Sequence, residues 1–159
     1  SDAMRGIAVI GWAMIIFGIV LYWADQKGPN ARTAETWTLK HAVHMGMWQA
    51  LALIPGTSRS GITITAGRIL GYTRTDAARL SMLMSIPTII ASATLLGLDV
   101  IGTADASALR DIGIVIGMSF IAALCALALM MRLLRSVSYT PYVIYRIALG
   151  IVLLWIAYT

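Results

Sequence analysis

The sequence predicts an all-α integral membrane protein with four transmembrane helices and one re-entrant helix-turn-helix hairpin. Three observations predict it. Hydrophobic residues make up 59% of the 159 and charged residues only 12%, against roughly 25% charged in a soluble domain, and mean hydropathy is +0.83. Several apolar runs approach the about 20 residues that a spanning helix needs. One further pair of runs is too short to span and is joined by a polar turn. The net charge of +5 is scattered, without a basic run interleaved with aromatics. That excludes a nucleic-acid surface and suits loops facing anionic headgroups. The single cysteine, Cys125, lies in an apolar run, so no disulfide framework is built. Residues 1–159 read as a single membrane domain.

Residues 6–23 form the first span, with Tyr22 and Trp23 at the interfacial aromatic girdle. Residues 25–40 are a polar connection broken by Gly28 and Pro29. Residues 41–54 are apolar, but fourteen residues rise only about 21 Å as a helix, short of the roughly 30 Å hydrocarbon core. Residues 61–71 are a second short piece, ending at Gly71. Together they predict a re-entrant hairpin over 41–71. Irregular backbone at membrane depth survives only inside protein or beside a wet cavity, and broken helices mark membrane binding sites.

Thr73 is the predicted N-cap of the next helix, with Asp76 as its box partner. That helix runs to about Leu98, with Pro87 as a kink. Residues 99–111 form a loop holding Asp99, Asp105, Arg110 and Asp111. Residues 112–131 are the third span, where Gly113 and Gly117 predict a close helix contact. A basic turn over 132–141 leads to the last span, 142–158, with Arg146 one turn inside. The positive-inside rule puts the 132–141 turn in the cytoplasm and the 99–111 loop outside.

Function is concentrated in the turn Pro55-Gly56-Thr57-Ser58-Arg59-Ser60-Gly61 and Thr63 beyond it. A charge in a membrane is costly and marks function. The planar fork of Arg59 matches phosphate oxygens bidentately and keeps its proton. The alternative is an arginine snorkelling to the headgroups. Ser58, Ser60 and Thr63 can converge on the same anion, and Ser58 is either a nucleophile or a phosphate ligand. Gly56 and Gly61 let backbone N–H groups approach it, beside Thr57, at the positive end of a helix. Gln49, two turns earlier, is either a substrate contact or an interhelical anchor. His41 and His44 share a helix face, as a solvated interfacial pair or as half a metal site without a third ligand. Arg68, Arg74 and Arg79 read as headgroup anchors. The seven carboxylates are placed in loops, at the terminus or at a helix cap.

The run from Gln49 through Pro55-Gly56-Thr57-Ser58-Arg59-Ser60-Gly61 to Thr63 closely resembles the C-terminal signature of the bacterial undecaprenyl-diphosphate phosphatases, the bacitracin-resistance family. The likeness continues through Arg74, Ala77-Ala78, the stretch from Ser81 to Pro87 and the piece from Tyr142 to Arg146. The resemblance implies one half of an inverted-repeat architecture, in which each repeat carries a re-entrant hairpin, in the bacterial plasma (inner) membrane. It implies hydrolysis of undecaprenyl diphosphate to undecaprenyl phosphate, recycling the lipid carrier of cell-wall synthesis. Arg59 resembles the phosphate-binding arginine, with Ser58, Ser60 and Thr63 as catalytic-site hydroxyls and Gln49, Gly56, Thr57 and Gly61 as substrate-binding positions. The family's N-terminal repeat carries a glutamate-rich motif, a Ser-Ser pair and a histidine, and nothing in this sequence matches it. The chain is therefore expected to supply the phosphate-binding half. The divalent cation, Mg or Ca, is expected to take its ligands from the other repeat, on the same or a second chain. A second copy of this chain is the other candidate partner, besides the membrane and the polyprenyl diphosphate. A polyprenyl-phosphate transporter using the same clamp without hydrolysis is the alternative.

Overall fold

The computed structural model describes residues 2–101 and 105–159, and these are helical with short connections. Helix α1 spans Asp2–Lys27, α2 Leu39–Ala50, α3 Arg59–Ile69, α4 Arg74–Ile101, α5 Ala106–Leu133 and α6 Thr140–Tyr158. Single 3-10 turns at Ala34–Thr36 and Leu51–Leu53 precede and follow α2. Among the described residues four stretches are long and apolar enough to cross a membrane: Arg5–Lys27, Arg74–Leu98, Ser107–Leu133 and Thr140–Tyr158. The chain is a multi-pass membrane protein built from these four.

The shortest helix is the most enclosed. α3 has 11 residues, and Gly61, Ile62, Thr63, Ile64, Thr65, Ala66, Gly67 and Arg68 are all buried. Helices α1, α2 and α4 pack around it. Its threonine hydroxyls are absorbed by its own backbone, as where Thr65 Oγ1 donates to the Gly61 carbonyl at 2.7 Å. That makes a polar sequence compatible with a buried position. Leu21, Met45, Ile64, Ala66, Tyr72, Ala77, Leu80 and Val143 form the core around it. α5 buries none of its apolar window, and leaves Ile114, Val115, Phe120 and Ile121 exposed.

The predicted start of α4 holds. Thr73 Oγ1 accepts from the Asp76 N–H at 3.2 Å and donates to Asp76 Oδ2 at 2.8 Å. The helix continues through Pro87 to Ile101. The expected loop over 99–111 is largely helix: α5 starts at Ala106, with Asp105 as its N-cap accepting from the Ala108 N–H. Residues 102–104 of that expected loop lie outside the described residues.

Two further expectations are corrected. Among the described residues, Gly113 and Gly117 meet nothing within 4 Å. The close helix contact lies instead between α1 and α6, where a β-carbon on Gly150 would stand 2.9 Å from the Gly11 carbonyl oxygen. Asp25 and Arg68 are neither loop carboxylate nor headgroup anchor. Each is 1% exposed, and they lie 3.2 Å apart at Arg68 Nε. Arg74 also turns inward, donating from Nε to Asp25 Oδ1 at 2.8 Å. Arg68 reaches further, donating to the carbonyls of Asp25, Gly28 and Tyr72 and to Asn30 Oδ1. The cluster fastens the end of α1 to α3 and α4, and sequence distance hid it.

Candidate functional site

The turn between α2 and α3 has the most unusual backbone in the described chain. Ser58 is its one non-glycine residue at positive φ, with φ 67° and ψ 118°, a conformation that L side chains adopt only when the surroundings hold it. What holds it comes from three directions. Ser58 Oγ accepts from the Gly61 N–H at 3.2 Å, capping α3. It also lies 3.4 Å from Ser60 Oγ and 3.3 Å from the Tyr142 hydroxyl. From α6, Arg146 Nη2 donates to the carbonyls of Gly56 at 2.8 Å and Thr57 at 3.0 Å. With the Thr57 carbonyl drawn to Arg146, the trans peptide turns the Ser58 N–H to the opposite side. With the Gly61 N–H taken by Ser58 Oγ, the N–H groups of Arg59 and Ser60 are the orphan donors on a positive helix end, the local chemistry of an anion cradle.

Arg59 is the first residue of α3 and is partly exposed. Its guanidinium has no hydrogen-bond or ion-pair partner among the described residues. Ser58, Arg59 and Ser60 are thus brought together at one helix end. Thr63 is placed differently. Its buried hydroxyl donates to the carbonyls of Arg59 at 3.0 Å and Ser60 at 3.1 Å and sits 2.6 Å from Ser81 Oγ, bracing the first turn from behind. Thr57 is fully buried and its hydroxyl has no partner. Gln49 ties α2 to α4 by donating to Thr88 Oγ1 at 3.0 Å, and its Oε1 is buried without a partner.

The two glycines have structural reasons of their own. Gly56 has φ +90°, and a β-carbon there would stand 2.6 Å from the Ile10 carbonyl oxygen of α1. At Gly61 a β-carbon would stand 2.8 Å from Arg146 Nη1 and 3.3 Å from Ser58 Oγ. Glycine leaves room for the guanidinium.

Beside the turn opens a cavity of about 470 Å³. Ser60, Gly61 and Tyr142 line it together with Ile64, Met130, Leu133, Leu134 and Val137. A polar anion cradle and an apolar space share residues Ser60 and Gly61. Such a pairing suits an amphiphile with an anionic head.

The histidines lie apart from this site. His41 Nε2 is 2.7 Å from Arg32 Nη1, and Nδ1 is 2.6 Å from the Tyr72 hydroxyl. Burial holds its pKa below the ordinary histidine value, and the neighbouring Arg32 charge adds to that. Among the described residues no three His, Cys, Asp or Glu side chains gather to hold a metal ion, and Asp25 is already ion-paired. The donor set here does not fit a divalent cation, and no step below is routed through one. Arg146 and Tyr142 escaped the sequence reading as site residues. The available signal was a lone charge one turn inside an apolar helix.

The family described as Bacitracin resistance protein BacA matches residues 1–152. An undecaprenyl-diphosphatase of Dinoroseobacter shibae is 68% identical over 159 residues, all of this chain and 60% of the relative. One from Ruegeria pomeroyi is 64% identical over 159 residues, again all of this chain and 60% of the relative. One from Chromohalobacter salexigens is 45% identical over 155 residues, 97% of this chain and 58% of the relative. The chain thus spans about 60% of the length of these relatives.

Proposed function

The chain belongs to the bacitracin resistance protein BacA family, and on that premise we propose that it supplies the phosphate-binding half of an undecaprenyl-diphosphate phosphatase. The reaction is hydrolysis. Water attacks the terminal phosphorus, the bond to the bridging oxygen breaks, and inorganic phosphate leaves the lipid monophosphate behind. The observation that carries the reading is the junction at Ser60 and Gly61, where the turn with Arg59 meets an apolar cavity. A diphosphate head lies in the cradle and the first part of a polyprenyl chain lies in the cavity.

Each residue has a part in that arrangement. Arg59 clamps two phosphate oxygens with its fork. The N–H groups opening α3 stabilise the charge that grows on the transferred phosphoryl group. Ser58 and Ser60 offer hydroxyls to the same oxygens, and Thr63 and Ser81 keep the first turn of α3 in place. Helices α2 and α3, with 12 and 11 residues, are each shorter than the about 20 residues of a spanning helix, and they enter and leave as a re-entrant hairpin in the plasma membrane. The remaining repeat, inverted relative to this one, supplies the proton-transfer groups and the cation ligands that this chain does not gather.

Phosphate release from farnesyl diphosphate by the intact protein tests the proposal. Wild-type protein releases phosphate, and Arg59→Lys loses about 100-fold in kcat/KM because a point charge replaces the fork. Binding with no phosphate release would convert the reading into a lipid-phosphate carrier.

A further inference from the structure

Arg146 is a buried cation without a countercharge among the described residues. It is 3% exposed, and its Nη2 is held by two neutral carbonyls, those of Gly56 and Thr57. Its Nε and Nη1 are buried without a hydrogen-bond partner. Among the described residues no carboxylate pairs with it; the ion pairs there belong to Asp25, on Arg68 and Arg74. A guanidinium keeps its proton, so burial does not neutralise it. An isolated buried charge is expensive unless an opposite charge completes it.

The position of that charge says what completes it. Nη1 lies 2.8 Å from where a β-carbon of Gly61 would stand, against the first turn of α3. Ser58 Oγ is 3.3 Å from the same point. The Tyr142 ring, 5.8 Å from the guanidinium carbon, covers another side, and its hydroxyl meets Ser58 Oγ. Arg146 therefore sits directly behind the cradle, while Arg59 stands at its open end. An anion in the cradle would lie between the two guanidiniums, one sealed from solvent and one facing it.

We propose that the anion bound at the N-terminus of α3 is the countercharge of Arg146, which makes Arg146 a positioning residue that couples the shape of the turn to anion binding. Its charge acts on the anion through the low dielectric of the helix packing. Its Nη2 draws the carbonyls of residues 56 and 57 to the rear, away from the anion. The ligand class is a phosphate or diphosphate, free or on a lipid. The inference rests on the proposed phosphate site but assigns a role that does not require hydrolysis.

The test uses the intact protein in nanodiscs, with inorganic diphosphate and farnesyl diphosphate as separate ligands. Arg146→Gln is expected to weaken both by about tenfold to a hundredfold, and Arg146→Lys to recover part of that loss by keeping the charge. Equal binding by Arg146→Gln and wild type overturns the inference, as does a Lys variant no better than Gln. Loss confined to farnesyl diphosphate would place Arg146 with the lipid tail and also overturn it. Guanidinium nitrogen resonances of Arg146 in the wild-type protein give a reading free of folding effects: added inorganic diphosphate shifts them, and unmoved resonances refute the coupling. Normal anion binding with no phosphate release would sink the proposed phosphatase and leave this inference standing.

Discussion

Asp25 and Arg68, on helices α1 and α3, meet in a buried ion pair at 3.2 Å, each 1% exposed. Arg74 shares the same carboxylate oxygen at 2.8 Å, and the Tyr139 N–H reaches the other at 3.3 Å. One carboxylate therefore fastens the ends of α1 and α3 to the starts of α4 and α6. Removing its charge leaves two guanidiniums facing each other inside the protein. Asp25→Asn is expected to cost about 3–5 kcal/mol, measured as a shift in the unfolding midpoint in detergent. A variant as stable as wild type would show the cluster to be incidental.

The backbone at Ser58 separates two roles of that residue. Ser58→Ala and Ser58→Gly both remove the hydroxyl that caps Gly61. Only glycine relieves the strain at φ 67°. The glycine variant should therefore be the more stable of the two by about 1–2 kcal/mol, read from paired denaturation curves. If alanine equals glycine, the turn carries no such strain.

The contact between α1 and α6 rests on small residues. A β-carbon on Gly150 would meet an Ile15 side-chain carbon at 2.7 Å and the Gly11 carbonyl oxygen at 2.9 Å. Gly150→Val is expected to push the helices apart and lower stability by about 1–3 kcal/mol. Gly113→Val, where nothing stands within 4 Å, should leave this chain's own packing unchanged. Reversed outcomes would refute the α1–α6 pairing.

His41 gives a pH dependence with a definite sign. Burial and Arg32 hold its folded pKa below the ordinary value of 6.5, so on acidification the unfolded chain takes up the proton first. Its contribution to stability is complete above the unfolded value and is lost as pH falls from there through the lowered folded value. Imidazole resonances should titrate below 6.5 in the folded protein, and Arg32→Ala should move the midpoint upward. A wild-type midpoint at or above 6.5 would contradict the packing of His41 against Arg32.

Much of the local structure was legible because its causes are local. The Thr73 and Asp76 cap is set by a spacing of three residues, and the apolar runs mark where the spans lie. The turn from residue 55 to 61 announced its chemistry through residue types alone. Spacing misled at Gly113 and Gly117, because a small-residue pattern shows only that a helix can pack closely. It does not name a partner. Asp25 looked like a loop residue because it stands at the polar end of an apolar run, where only the fold reveals that α3 and α4 close over it.

The sequence by itself determined the membrane character and the presence of four spans, and it offered the residue types suited to a phosphate, since these follow from hydropathy and functional-group chemistry. Tertiary structure decided how those residues are divided. It set Ser58, Arg59 and Ser60 at one helix end, turned Thr63 inward as a brace, and brought Arg146 from α6 against the turn. The physical reason is range: propensity and capping act over a few neighbours, whereas a buried charge is satisfied by whatever the packing of distant helices places beside it.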